Sequence, residues 1–191
     1  MRRPAFPLLA ALALAGWGPA ACQRGAPAPA PPCAEVQGAL PAEARADGLA
    51  GDFGLTLVAT RGARTGARAT GSLHLRRNDA GAGPAPSEGV RYPLVGWAEA
   101  PVDSVGAVAP GDVGSREAAR PGVLAVEERR AGRTQLILRF GAEANRGVVR
   151  FDGAYLVLTP AALTADGFAG RWNSGVGGQT ASGYFCAHRT N

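Results

Sequence analysis

Three cysteines and two histidines are the residues of this chain best suited to chemistry: Cys22, Cys33, Cys186, His74 and His188. Thiolates attack carbonyls, bind soft metals or pair oxidatively, and imidazoles relay protons or bind metals. Spacing narrows these options. No Cys-x-x-Cys occurs and the histidines lie far apart in sequence, so the pattern is not that of a metal site. There is no Gly-x-Ser-x-Gly elbow, no His-Glu-x-x-His and no phosphate loop ending in Gly-Lys-Ser/Thr. Lysine is absent altogether, which removes Ser–Lys and Schiff-base mechanisms. Glu127 and Glu128 fall on opposite faces of an extended segment and share no site. Asp103, Asp112 and Glu117 sit in an irregular stretch without a calcium-loop pattern. His74 lies on the polar face of its strand and is expected to be solvated. His188, near the C-terminus, is expected to be exposed. The expectation is a protein without catalytic residues, bound metal or cofactor, and not an enzyme.

Cys22 closes the run Gly18-Pro19-Ala20-Ala21-Cys22, directly after a short hydrophobic segment. Arg2 and Arg3 precede an apolar run from Ala5 to Trp17. That run is too short to span a bilayer, which needs about 20 apolar residues. A positive start, a short apolar run and small residues form the secretory pattern, so residues 1–21 read as a signal peptide. The run ending at Cys22 resembles the lipid-attachment site of bacterial lipoproteins. Ala20 and Ala21 fit it, and Pro19 stands where leucine is usual. The resemblance implies acylation of Cys22, an N-terminal lipid in the membrane, and a place in the cell envelope facing periplasm or exterior. A plain secreted protein, cut further on, is the alternative. Gln23 to Pro32 is a Pro/Ala tether that favours extended polyproline conformation, and residues 22–33 read as anchor plus spacer. With Cys22 acylated, Cys33 and Cys186 are left as a disulfide pair; two buried free thiols are the alternative. A bridge closing so long a loop contributes about 4 to 5 kcal/mol in the chain-entropy model, and an oxidising compartment permits it.

The formal net charge is +5, and falls to +3 once Arg2 and Arg3 leave with the leader. So mild and scattered a charge argues against nucleic acid as a partner. Residues 34–191 are enough for one domain with a real core.

That domain reads as strands. Pro41 to Gly48 suits one short helix, with proline in its first turn and glycine at its cap. The period then becomes two. Phe53, Leu55, Leu57 and Ala59 alternate with smaller or polar residues, and Ala69, Gly71, Leu73 and Leu75 alternate with Thr70, Ser72, His74 and Arg76. Tyr92 to Glu99 is a third strand with Val95 and Trp97 on one face, and Pro93 suggests its start or a sheet edge. Residues 100–121 are irregular and are candidate interaction loops. Val123 to Glu128 and Thr134 to Phe140 form a hairpin with Leu136, Leu138 and Phe140 on one face. Ala154 to Thr159, Phe168 to Asn173 and Gly183 to His188 follow, with Gly175-Val-Gly-Gly178 as a hairpin loop. Short connections require mostly antiparallel order. About eight strands suggest an all-β fold, an up-and-down antiparallel β-barrel, with a β-sandwich as the alternative.

Asp47-Gly-Leu-Ala-Gly-Asp-Phe53 echoes Asp166-Gly-Phe-Ala-Gly-Arg-Trp172, each a turn feeding a strand. Gly51-Asp52-Phe53, after a short helical turn, also resembles the Gly-x-Trp that opens the first strand of lipocalins and related calycin barrels, with Phe in place of Trp. The resemblance covers about ten residues plus the strand count. It implies a cup-shaped barrel able to hold a small apolar ligand, and the candidate lining is Phe53, Trp97, Phe140 and Trp172. Small inward Ala and Gly residues would leave room for one. A filled core acting through its loops on a protein partner is the alternative.

Overall fold

The computed structural model describes residues 32–81, 87–106, 122–130, 133–141, 143–145, 148–150, 156–176 and 179–190. Ten strands are present among them: β1 (Gly51–Arg61), β2 (Arg68–Arg77), β3 (Val90–Glu99), β4 (Gly122–Arg130), β5 (Arg133–Gly141), β6 (Glu143–Asn145), β7 (Val148–Arg150), β8 (Leu156–Thr164), β9 (Gly167–Val176) and β10 (Gln179–Arg189). Eight of them close into an antiparallel barrel in the order β1-β10-β9-β8-β5-β4-β3-β2, and β6 pairs only with β7. Each barrel strand pairs with its neighbours along the chain, and β10 closes on β1 through a register running from Phe53↔Arg189 to Arg61↔Ser182. This is the up-and-down barrel expected from the strand pattern. Closure gives every barrel strand a neighbour on each side, with the shortest seam between β5 and β8, paired among the described residues only from Leu138↔Leu158 to Phe140↔Leu156.

Alternation decides which side of each strand faces in. Phe53, Leu55, Leu57 and Ala59 are buried on β1, Ala69, Leu73 and Leu75 on β2, and Leu136, Leu138 and Phe140 on β5, while Gln135 and Arg139 point out to solvent. These faces match the sequence pattern. Burying each large aliphatic or aromatic side chain contributes about 1.5–3 kcal/mol. The inward residues form one apolar cluster that runs the length of the barrel.

Three expectations are corrected. The helix over 41–48 is a reverse turn, with Ala44 N–H donating to the Pro41 carbonyl (3.0 Å), followed by a short 3-10 turn at Ala46–Leu49. Pro93 marks no edge. It sits where the β3–β4 register shifts between Arg91 and Leu94, an interruption that spares the ladder the missing proline N–H. β8 extends to Thr164 rather than stopping at Thr159: Pro160 keeps its place opposite Gly170, and the register shift that follows skips Ala161.

Both ends of the barrel are covered. Where β1 begins, Leu40, Ala46 and Leu49 join the core cluster. At the other end Val102 and Val105, beside the short 3-10 turn Val102–Ser104, are buried in the same cluster. Cys33 and Cys186 form a disulfide, with Cα atoms 5.6 Å apart, that ties the start of the domain to its last strand. Residues 1–31, with the expected signal peptide and Cys22, lie outside the described residues, as do 107–121. Among the described residues no helix is long and apolar enough to cross a membrane.

Candidate functional site

The structure divides the four residues nominated as pocket lining. Phe53, Phe140 and Trp172 are inside the barrel and almost wholly buried. Phe53 packs edge-on to Phe168 (5.1 Å between centroids), which packs in turn against Phe185 (5.8 Å), near the start of β1. Phe140 lies near the far end of β5. Trp172 lies on β9, and its Nε1–H donates to the Val58 carbonyl (3.1 Å). Trp97 is on the outside. It pairs across strands with His74, while its neighbours Leu94 and Ala98 face the core. Both faces of this strand are apolar, so alternation alone does not choose between them. The barrel selects the smaller face of β3, with Gly96 and Ala98, because other strands already fill the interior with Trp172, Phe140 and several leucines.

Among the described residues, the small inward ones leave no open room around the large side chains in the middle of the barrel, while at the far rim the inward Ser174 and Ala181 line an open groove. Trp172 lies over Gly183, its register partner on β10, where a Cβ would come within 2.9 Å of Nε1. Leu57, Leu73, Leu94, Leu138, Phe140 and Phe185 are each 0% accessible, so no water-sized void faces them. A closed eight-stranded barrel is an architecture that can host a ligand. In this one Leu57, Leu73, Leu94, Leu138, Phe140 and Phe185 are packed by neighbouring side chains.

One buried charge sits on the inward side. Glu127 on β4 is opposite Leu136 and its side chain is fully buried. Its Oε2 accepts from the Arg91 guanidinium (2.9 Å) and from the Ala46 backbone N–H (3.2 Å). Across the same opening, Arg189 donates to the carbonyls of Ala50 (3.1 Å) and Gly48 (3.2 Å) and lies over the Phe53 ring (4.9 Å). The 46–50 segment is thus fastened to β4 on one side and to β10 on the other. Arg91 holds its proton more firmly than usual, chiefly through the hydrogen bond to Glu127. Burial works against this, and the charges of Glu127 and Asp47 add to it. Glu128, on the other face, shares no site with Glu127, as expected.

The outer face of β1–β3 carries a polar cluster that the sequence does not reveal. His74 is not simply solvated. Its Nδ1 is 2.8 Å from Asp52 Oδ1 and its Nε2 is 3.0 Å from Ser72 Oγ. Its ring stacks on Trp97 (centroids 5.0 Å, 21° between planes). Arg76 donates to the same Asp52 oxygen (2.8 Å), with its guanidinium 5.9 Å from the Trp97 ring. Hydrogen bonds from His74, then from Arg76, hold the Asp52 carboxyl below the ordinary value of 3.8. An aspartate acceptor at Nδ1 fixes the neutral imidazole with Nδ1–H toward Asp52, leaving Nε2 to accept from the Ser72 hydroxyl. Ser72 and His74 were readable as same-face neighbours two apart on a strand. Asp52 was not, because its pairing with His74 is a matter of register.

Beside this cluster Gly54 separates Ser72 on β2 from His188 on β10 in one cross-strand row. His188 is partly buried rather than exposed, and its Nε2 has no hydrogen-bond partner among the described residues. A separate groove of about 600 Å³ opens at the far rim between Arg61, Asn173, Ser174, Thr180 and Ser182. No three His, Cys, Asp or Glu side chains among the described residues are placed to hold a metal ion. Asp103 side-chain placement, Asp112, Glu117 and Tyr155 lie outside what is described. The eight-stranded closed barrel, with Gly51-Asp52-Phe53 opening β1 directly after a 3-10 turn, is consistent with a calycin-like fold. No protein-family model, curated protein or solved structure matches the chain.

Proposed function

We propose that this is an envelope protein, tethered by a lipid on Cys22, whose barrel is a rigid, filled scaffold that meets a protein partner with its outer face and loops. The observation that supports this reading is the packing of the interior. Inward side chains from every barrel strand are buried against one another, and both ends are covered. In this reading the interior is a core and not a reaction chamber. The lipid, the Pro/Ala spacer and the Cys33–Cys186 bridge suit a domain held at a fixed reach from a membrane in an oxidising compartment.

A small apolar ligand inside the barrel is the second reading. It is favoured by an apolar lining whose indole N–H is already satisfied by Val58, so that the interior offers contact area without unpaired polar groups. It requires the 46–50 segment or the 102–106 turn to move aside.

Native mass spectrometry on the full chain, exported to an oxidising periplasm, separates the two. A bare protein mass supports the filled scaffold, and an excess mass released on denaturation establishes the ligand reading and identifies its class. Retention of the N-terminal acyl mass on Cys22 tests the anchor. Crosslinking in intact cells that recovers no protein neighbour would sink the scaffold reading.

A further inference from the structure

We propose that the outer face of β1–β2 carries a nucleophilic serine, Ser72, activated by His74 and positioned by Asp52, which accepts acyl groups from small uncharged esters. This goes beyond the scaffold reading and does not rest on it, because the site lies outside the barrel. Three observations meet here. Asp52, His74 and Ser72 are linked in sequence through the two nitrogens of one imidazole, at 2.8 and 3.0 Å. That is the nucleophile–base–orienting-acid relation needed to draw a proton from a hydroxyl. The ring is held in place: Trp97 stacks on one face of it. Gly54, beside Ser72 in the cross-strand row, leaves open surface, since a Cβ there would meet nothing nearer than 3.9 Å.

The other charged or titratable groups of this face set the substrate class. Glu99 is the register partner of Ser72 and is exposed on the same side, Asp52 is ionised, and Arg76 is engaged with Asp52. His188 lies two strands away from Ser72, across Gly54. Asp52 and Glu99, both close to the nucleophile, disfavour anionic esters, and the acyl donors assigned to the site are uncharged. In the reaction Ser72 Oγ bonds to the ester carbonyl carbon while its proton passes to His74 Nε2. The ester C–O bond breaks, and the leaving alkoxide takes that proton as the alcohol. Water then hydrolyses the acyl-serine with His74 again as base. General-base help of this kind is worth about 10²–10⁴-fold, which sets the size of the effect.

The test uses the full chain and an uncharged fluorophosphonate probe. With this probe Oγ bonds to phosphorus, fluoride leaves, and the proton goes to His74. Peptide mapping should place the label on Ser72, at least about 100-fold faster than on Thr70 or Ser182 of the same barrel. His74→Gln should slow labelling by about the same factor, and added imidazole should restore part of the rate in His74→Ala. Asp52 is a positioning residue: Asp52→Asn should slow labelling, and Asp52→Glu should recover part of the loss. Labelling of Ser72 at the rate of Thr70 and Ser182, or at an unchanged rate in His74→Gln, overturns the proposal. The wild-type comparison needs no variant to fold, and neither result bears on what the interior holds.

Discussion

The indole N–H of Trp172 reaches across β10 to the carbonyl of Val58 on β1, 3.1 Å away, and it can do so only because residue 183, between them, is glycine. Two consequences follow. Trp172→Phe loses the pyrrole ring together with the donor, at a cost of about 2–3 kcal/mol in urea unfolding from the lost hydrogen bond and the cavity. Gly183→Ala places a methyl group under the indole and against the Val58 carbonyl, at a cost of about 1–3 kcal/mol, with a change in tryptophan emission.

Glu127 anchors the segment across the mouth of the barrel through the Ala46 N–H and Arg91. Removing Arg91 leaves a buried carboxylate short of one charged partner. Because Arg91 is itself half exposed, the cost of Arg91→Ala should be about 2–3 kcal/mol, the range for a hydrogen bond to a charged group, rather than that of a fully buried pair. Glu127→Ala frees the Ala46 amide, whose hydrogen exchange should quicken while amides in the middle of β1 keep their protection relative to global unfolding. Equal acceleration at both places would show that the segment opens only with the whole barrel.

Asp52 has a lowered pKa in the folded chain, through the hydrogen bond from His74 first and that from Arg76 second. A depressed carboxylate contributes stability at pH values above its unfolded pKa, and loses that contribution as the pH falls through the folded pKa. The loss should therefore begin near the ordinary carboxylate value of 3.8 and finish below it. Carboxyl chemical shifts followed by NMR should place the Asp52 midpoint below 3.8 in the wild type and closer to it in His74→Gln. An identical midpoint in the two proteins would remove His74 as the main cause.

The disulfide joins residues 153 apart. In the chain-entropy model a loop of that length contributes about 5 kcal/mol. Cys33→Ser with Cys186→Ser should lower the unfolding free energy by roughly that amount while circular dichroism keeps the barrel's β signature. Thiol titration of the denatured, unreduced wild type should find neither Cys33 nor Cys186 free.

Strand identity was legible in the sequence because alternation is local. Residues i and i+2 share a face whatever the rest of the chain does, so Phe53, Leu55 and Leu57, or Leu136, Leu138 and Phe140, announce an inward side without reference to neighbours. Short turns between such runs impose antiparallel order, and the pairing of β10 with β1 decides for the barrel over the sandwich. Trp97 shows where this stops. Leu94, Gly96 and Ala98 compete with Val95 and Trp97 for the inward side, both sets are apolar, and total interior volume decides. Pro93 reads locally as a strand start or sheet edge, yet it sits inside a barrel strand where the register shifts.

The candidate chemistry was less legible still. Local pattern was enough to read the strands, the pair of cysteines available to staple the two ends, and the Ser72–His74 spacing on one polar face. The assembled barrel was needed to set Asp52 opposite His74, Trp97 against the imidazole, Trp172 over Gly183, and Glu127 inward on the Ala46 amide. One cause accounts for all four. These are contacts between strands, fixed by register and by the volume the closed barrel can hold, and neither quantity belongs to any one stretch of chain.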